Sequence, residues 1–315
     1  MIQTRAVSHY YPGSRRRDPP RQALLPLDLQ VEEGQFFALT GPNGGGKSTL
    51  FKILAGVMQP SAGEVLVGGK NLFAAGSGAR QLLGVAFQKP ALDRQLTVME
   101  NFRIHASLYG LDAGRFHRRL EAALSWSGLQ DRLADRVGQL SGGLARQVEL
   151  VKVLLHEPRI LLLDEPTTGL DPGVRRAFLD RLLTLRREEG LTICLTSHLF
   201  EEAEAADRVG ILKKGVMLAN DTPEALKRQV GRNLLVLKSR RPEALEAWLR
   251  HEPAIQVQHL EGEMRLEGPD LDRLLARILV EFKEDLLSVS FKEATLEDLF
   301  IHLTGEKAVE GEVAA

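Results

Sequence analysis

Residues 41–49 read GPNGGGKST. Gly41, Gly46, Lys47 and Ser48 fall on the spacing G-x-x-x-x-G-K-[ST], that of a loop that holds nucleotide phosphates. Glycines let successive backbone N–H groups turn toward one concave point and come close to an anion. Lys47 adds a point charge for the β- and γ-phosphates, and the Ser48 hydroxyl is an oxygen ligand for Mg²⁺. Loops of this kind serve kinases, GTPases, motors and transporters alike, so other residues must decide among them.

Three further constellations carry chemistry. The stretch ILLLDEP (160–166) is a uniformly apolar run ending in two acids. Asp164, at the end of such a strand, suits a Mg²⁺ held opposite the loop serine. Glu165 would face the γ-phosphate, where it could orient and deprotonate an attacking water. In LSGGLARQ (140–147), Ser141, Gly142 and Gly143 precede a helix and offer a second set of free N–H groups for phosphate. One γ-phosphate is hard to grip from two such sites in one compact chain, so the economical arrangement places the second site on a neighbouring subunit. His198 follows LTICLTS and ends a buried strand as Asp164 does. Ligands of open α/β sheets bind at such carboxyl ends.

The elements that must position these residues are legible around them. FFALT (36–40) reads as a short buried strand, and TLFKILAGV after the loop has helical apolar spacing. RILLLD, LTICLTS, RVGILKKG and GVMLAND read as four more strands; the all-apolar character of ILLL is that of a parallel strand covered on both faces. The separation of Lys47 from Asp164 exceeds one βαβ unit, and the helical pattern near 91–140 fits an insertion there. Near residue 230 the texture changes to β-α-β-β-α-β-α. This predicts a small α+β domain over 231–305 after a first domain over 1–230, with 306–315 as a disordered tail. Thr295 and Asp298 form a potential capping box for the last helix, whose buried stripe is expected at Leu296, Leu299, Phe300 and Leu303.

Composition sets outer bounds. A chain of 315 residues has room for about two domains. It is 43% hydrophobic with a formal net charge of −1, which gives no global electrostatic case for nucleic acid. The single cysteine, Cys194, sits in an apolar run and reads as core, in keeping with a reducing compartment. No apolar run approaches the ~18 residues of a membrane span, and the N-terminus lacks a signal-peptide core. The expectation is a cytoplasmic chain without direct membrane insertion. The polar insert GSRRRDPPRQ (13–22) reads as a solvated loop, with lipid-headgroup contact through Arg15, Arg16 and Arg17 as the alternative.

Taken together, the loop Gly41–Thr49, Gln88 in GVAFQKP, LSGG, LLLDEP, GLD (169–171) and His198 resemble the ATP-binding cassette of ABC transporters, in order, over residues 1–230. DEPTTGLDP, TSHLFEEAEAADRVGIL, TPEAL and ATLEDLFIHLTG resemble a narrower branch, the ATP-binding subunits of ABC-2-type exporters of the drug-resistance and sodium-efflux kind. The resemblance implies an α/β fold: a mostly parallel core sheet, an antiparallel β subdomain and an inserted helical subdomain. It implies ATP hydrolysis driving export by a separate membrane-spanning subunit, at the inner face of the cell membrane. It implies ATP contacts from Gly41, Pro42, Asn43, Gly44, Gly45, Gly46, Lys47, Ser48 and Thr49. An aromatic, Tyr10 or Tyr11, would stack on adenine. Mg²⁺ would be held by Ser48, Gln88 and Asp164; catalysis would fall to Glu165, His198 and Gln88; and Asp171 would link two sites across a homodimer or heterodimer. Leu92, Leu96, Val98 and Phe102 would either line a groove for the membrane subunit or be ordinary core. Position 144 is Leu where the family usually has Gln, and the following ARQ reverses the usual order of Gln and Arg. A soluble ABC-type ATPase and a regulatory nucleotide-binding module are the rival readings.

Overall fold

The computed structural model describes residues 1–13, 19–231, 233–252, 254–260 and 262–305; the Arg15–Arg17 loop and the tail from 306 onward lie outside the described residues. β1 (Ile2–Tyr11) and β2 (Arg21–Val31) pair antiparallel. β3 (Phe36–Thr40) leads through the glycine-rich loop into α1 (Lys47–Leu54). β4 (Ala62–Val67) and β5 (Lys70–Asn71) complete an antiparallel sheet of order β2-β1-β4-β5. After β6 (Leu83–Ala86) come three helices, α2 (Val98–Leu108), α3 (Ala113–Ser127) and α4 (Gly142–Leu154). Then follow β7 (Ile160–Asp164), α5 (Pro172–Glu189), β8 (Thr192–Thr196), α6 (Phe200–Ala203), β9 (Arg208–Lys213), β10 (Val216–Asp221) and α7 (Pro223–Lys227).

The central sheet has the order β10-β9-β3-β8-β7-β6, parallel except at β9–β10. β3, β7 and β8 are buried at every position. Their alternate side chains feed two cores. Ala38, Leu161, Leu163, Ile193 and Leu195 face one side, Phe37, Leu39, Ile160, Leu162 and Cys194 the other. Cys194 is core as expected, and burial pushes its thiol up to about 12. The helices start where polar side chains cap them: Thr97 with Glu100 in a capping box, Asp112, Ser141 and Asp171. α2, α3 and α4 share a separate apolar cluster that includes Val98, Phe102, Leu120, Val148 and Val151. Val98 and Phe102 are therefore core, while Leu92 and Leu96 are only partly buried.

The rest of the chain forms β11 (Asn233–Ser239), α8 (Pro242–Leu249), β12 (Gln256–Leu260), β13 (Glu263–Glu267), α9 (Leu271–Phe282), β14 (Leu286–Glu293) and α10 (Leu296–Thr304). The antiparallel sheet β12-β13-β11-β14 has α8 and α9 packed on one face. α10 carries the capping box of Thr295 and Asp298, and Asp298 also holds Arg265 at 2.6 Å. Its buried stripe is Leu296, Leu299, Phe300 and Ile301; the expected Leu303 is 39% exposed. The helix is clasped on two adjoining faces, so its buried set is wider than a single i, i+3, i+4 line. Leu296, Leu299 and Phe300 join the same core as Phe200, Leu226 and Val230, so the final helix packs against α6 and α7.

Where α2 meets α4, His105 Nε2 lies 3.1 Å from His156 Nδ1, His156 Nε2 lies 3.0 Å from the Leu83 carbonyl oxygen, and Tyr109 stacks on His156 at 3.7 Å. Burial, then the neighbouring His156 and Lys152, push His105 down to about 3. The unfolded chain takes up this proton first as pH falls, so stability is lost from about pH 6.5 downward toward the folded value near 3. Thermal unfolding should shift down by a few degrees between pH 7 and pH 5, and His105→Gln should flatten that dependence. An unchanged pH dependence in the variant would show that the pair is not the source.

Candidate ATP site

Four neighbouring strands, β6, β7, β8 and β3, deliver their carboxyl ends to one edge of the sheet. From that edge come Gln88, Asp164 with Glu165, His198 and the loop 41–46. The loop bends where the chain meets β9: Gly41 has φ +135°, and a Cβ there would sit 2.1 Å from the Leu212 carbonyl oxygen. Only glycine fits. Gly46 caps α1 in the left-handed region, so the first N–H groups of α1 open toward the loop.

Asn43 to Thr49 line a cavity of about 500 Å³ together with Tyr11, Arg21, Gln22, Ala23, Glu165 and Lys214. Lys47 is almost fully buried, and its Nζ donates to the carbonyl oxygens of Gly41 (2.6 Å) and Pro42 (3.1 Å). Burial lowers its pKa, with Glu165 and Asp164 acting in the opposite sense. The ammonium is thus held against the loop by acceptors weaker than a phosphate. Tyr11 places its hydroxyl 3.2 Å from Thr49 Oγ1 on the cavity wall, whereas Tyr10 is 45% exposed and lines none of it.

Glu165 is the point of convergence. Gln88 Nε2 donates to its Oε2 at 3.0 Å, His198 Nδ1 lies 3.3 Å from the same oxygen, and Thr168 Oγ1 donates to it at 3.3 Å. Its backbone is strained, with φ +44° for a non-glycine residue. That conformation is fixed by Thr196, whose carbonyl (3.0 Å) and hydroxyl oxygen (3.1 Å) both accept from Glu165 N–H. The same hydroxyl donates to Asp164 Oδ1 at 2.5 Å. Burial raises the Asp164 pKa, and the Thr196 bond acts against it. Asp164 carboxylate, Ser48 hydroxyl and Gln88 amide oxygens are the hard donors that a Mg²⁺ ion takes.

Ser141 caps α4, accepting from Leu144 N–H at 3.3 Å. With Gly143 it lines a different cavity of about 420 Å³ that shares no residue with the loop cavity. Leu144 packs into the helical cluster, so leucine in LSGGL is accommodated by apolar contact while its N–H still serves the cap. Asp171 caps α5 by accepting from Val174 N–H at 3.0 Å. Arg146, in the reversed ARQ, is buried and donates to the carbonyl oxygens of Phe87 (2.7 Å) and Gln88 (2.5 Å) and to Glu149 (2.7 Å). The helix that begins at Ser141 is therefore clamped to the segment that carries Gln88. Thr196, Thr168, Lys214 and Arg146 had no signal of their own in the sequence. All four lie inside stretches read above, LTICLTS, DEPTTGLDP, RVGILKKG and LSGGLARQ, but their neighbours in space were not encoded there.

The model of the ABC transporter family matches residues 24–168. The linearmycin resistance ATP-binding protein of Bacillus subtilis is 33% identical over 89% of this chain and 92% of its own length. The chain belongs to the ATP-binding proteins of ABC transporters. A Nod factor export ATP-binding protein of Rhizobium sp. is 35% identical over 89% of this chain and 91% of that one, and a daunorubicin resistance ATP-binding protein of Streptomyces coeruleorubidus 33% over 93% and 95%. Among solved structures, an ATP-binding subunit of an ABC transporter superposes with a TM-score of 0.64 at 30% identity, covering 73% of this chain and 93% of that one. A dimeric ATP-binding cassette in a post-hydrolysis state with ADP and Pi superposes equally well at 27% identity, over 70% and 98%. The α/β cassette fold expected from the sequence is borne out, and so is ATP hydrolysis as the reaction of this family.

Replacing Lys47 by Ala removes the buried cation beside the phosphate loop. Hydrogen bonds to charged groups contribute about 1.5–3 kcal/mol, so ATP should bind roughly 10- to 150-fold more weakly. Calorimetric titration gives this directly; unchanged affinity in a folded variant would remove Lys47 from the site.

Proposed function

We propose that this chain is the ATPase subunit of an exporter, working beside a separate ABC-2-type membrane-spanning subunit at the inner face of the cell membrane. The observation that carries the catalytic half is the meeting of Gln88, His198 and Thr168 on one oxygen of Glu165, at the wall of the loop cavity. The export half is supported by relatives whose names describe resistance and export. Among the described residues no helix is long and apolar enough to cross a membrane, which supports a separate spanning partner. The three relatives are named for three different molecules at nearly the same identity, which supports cargo choice by the partner.

In this reading ATP lies with its phosphates on the N–H groups of the loop and Lys47, and its base beside Tyr11. Ser48, Asp164 and Gln88 would hold Mg²⁺, which when bound offsets phosphate charge. Glu165 accepts the proton of a water that attacks the γ-phosphorus, and the bond to the β–γ bridging oxygen breaks to leave ADP and phosphate. Gln88 and His198 keep the carboxylate aimed, and Thr196 keeps its backbone in the strained form that presents it. Ser141 and Gly143 line a cavity that shares no residue with the loop cavity, which supports their acting on the ATP of a second cassette. ATP then favours a closed head-to-tail dimer, and hydrolysis releases it. Asp171, fixed as a helix cap beside the Ser141 cavity, would sit at the same contact.

Glu165→Gln keeps size but cannot take the proton. General-base loss costs about 10²–10⁴ in rate, so kcat should fall by that factor while ATP still binds. Size-exclusion chromatography should show the variant moving from monomer to dimer with ATP, and Ser141→Arg in the same chain should abolish the shift. Hydrolysis at the wild-type rate would place the base elsewhere.

A further inference from the structure

Glu202, on α6, is an acid that is only 1% exposed. Thr167 Oγ1 donates to its Oε1, and Ser197 Oγ donates to its Oε2 at 2.7 Å. Arg175 Nε, one turn into α5, lies 3.6 Å from Oε1. Thr167 and Ser197 are buried as well, and they belong to the two segments that form the reaction centre. Thr167 follows Glu165 by two residues, and Ser197 immediately precedes His198. β7 and β8 stay in register as far as Asp164 opposite Thr196, and the Glu165 N–H still reaches Thr196. Beyond that point both chains are loops, and Glu202 joins them. Leu199 N–H also donates to the Ser197 hydroxyl, at 2.9 Å, so the residues before and after His198 are held at one oxygen. A buried carboxylate is costly unless it is paired and hydrogen-bonded, and an apolar residue of similar volume often serves a fold as well. An apolar residue could not tie these two hydroxyls to each other.

We propose that Glu202 is a positioning residue for ATP hydrolysis: by holding Ser197 against Thr167, it keeps His198 Nδ1 at 3.3 Å from Glu165 Oε2. The inference rests on the catalytic role proposed above for Glu165 and His198. Glu202 does not line the loop cavity, so it acts through these neighbours and not on ATP. The arrangement matches the one on the other flank of β7. Gln88, after β6, reaches the same Glu165 oxygen and is tied to α4 by Arg146. His198, after β8, is tied to α5 through Ser197, Glu202 and Arg175. α5 starts at its Asp171 cap, and its Val174 lines the Ser141 cavity. In the proposed dimer, a contact at that face would therefore reach Glu165 from both sides.

The test is a double-mutant cycle on the full chain with Mg·ATP. Glu202→Gln keeps the size but offers one accepting oxygen to two hydroxyl donors. Its kcat should fall roughly 10- to 100-fold, since displacing an aligned group by about 1 Å can cost the larger factor. KM and calorimetric affinity for ATP should stay unchanged. His198→Ala should lower kcat at least as far. Glu202→Gln added to His198→Ala should lower it no further, because the residue it positions is gone. Ser197→Ala removes one donor to Glu202 and carries the same cycle if Glu202→Gln does not fold. Hydrolysis by Glu202→Gln at the wild-type rate, or a loss that multiplies with that of His198→Ala, would make Glu202 a packing group and overturn the inference. Weakened ATP binding with unchanged kcat would do the same. Full activity in His198→Ala would instead remove the catalytic role proposed for His198, and this inference with it.

Discussion

The Thr196 hydroxyl ties two strand ends together, and the site depends on it. It donates to Asp164 and accepts from Glu165 N–H, while its carbonyl takes the same N–H. The parallel register of β7 and β8 sets Asp164 opposite Thr196. A shift of one residue would turn Asp164 to the opposite face of the sheet. The cost of a left-handed Glu165 is thus met by bonds that exist only when β3, β7 and β8 are stacked and dry. Burial also raises the Asp164 pKa and lowers that of Lys47, leaving two opposite charges short of solvent beside the phosphate loop. Phosphate and a divalent cation are the partners such a pair lacks.

A second constraint acts at a distance. Arg146 and Glu149 form a buried pair that grips the backbone of Phe87, Gln88 and Ala91. Breaking such a pair by removing one partner costs about 3–5 kcal/mol, so α4 and the Gln88 segment move as one piece. Gln88 in turn touches Glu165. Any displacement of Ser141 by a second cassette therefore reaches the proposed base through a continuous set of bonds. In the proposed dimer this would be a physical route from closure to catalysis.

The fold class was legible because strand periodicity and cap residues are local. FFALT, RILLLD and LTICLTS are buried strands, and Thr295 with Asp298 caps the last helix as their spacing predicts. The order β-α-β-β-α-β-α after residue 232 also follows the pattern of the sequence. What the sequence hid were contacts made by tertiary placement. Leu303 shares the helical spacing of Leu296 and Leu299 but points past the surfaces that enclose α10, while Ile301 is buried instead. Tyr10 and Tyr11 differ by one strand position, and only the path of β1 puts Tyr11 on the cavity. Val98 and Phe102 look like a docking stripe in one dimension and are core in three. Thr196 and Arg146 matter through what lies across from them, which no spacing rule encodes.

The central claim is that each ATP is held by one chain's Lys47 and a second chain's Ser141. Mixing two inactive variants, Lys47→Ala and Ser141→Arg, tests it most directly. A mixed dimer keeps one whole site, with the loop from the Ser141→Arg chain and the signature from the Lys47→Ala chain. Random pairing in a two-fold dimer should restore roughly a quarter of wild-type ATP hydrolysis. Either variant active alone, or a mixture as dead as its parts, would contradict the shared site.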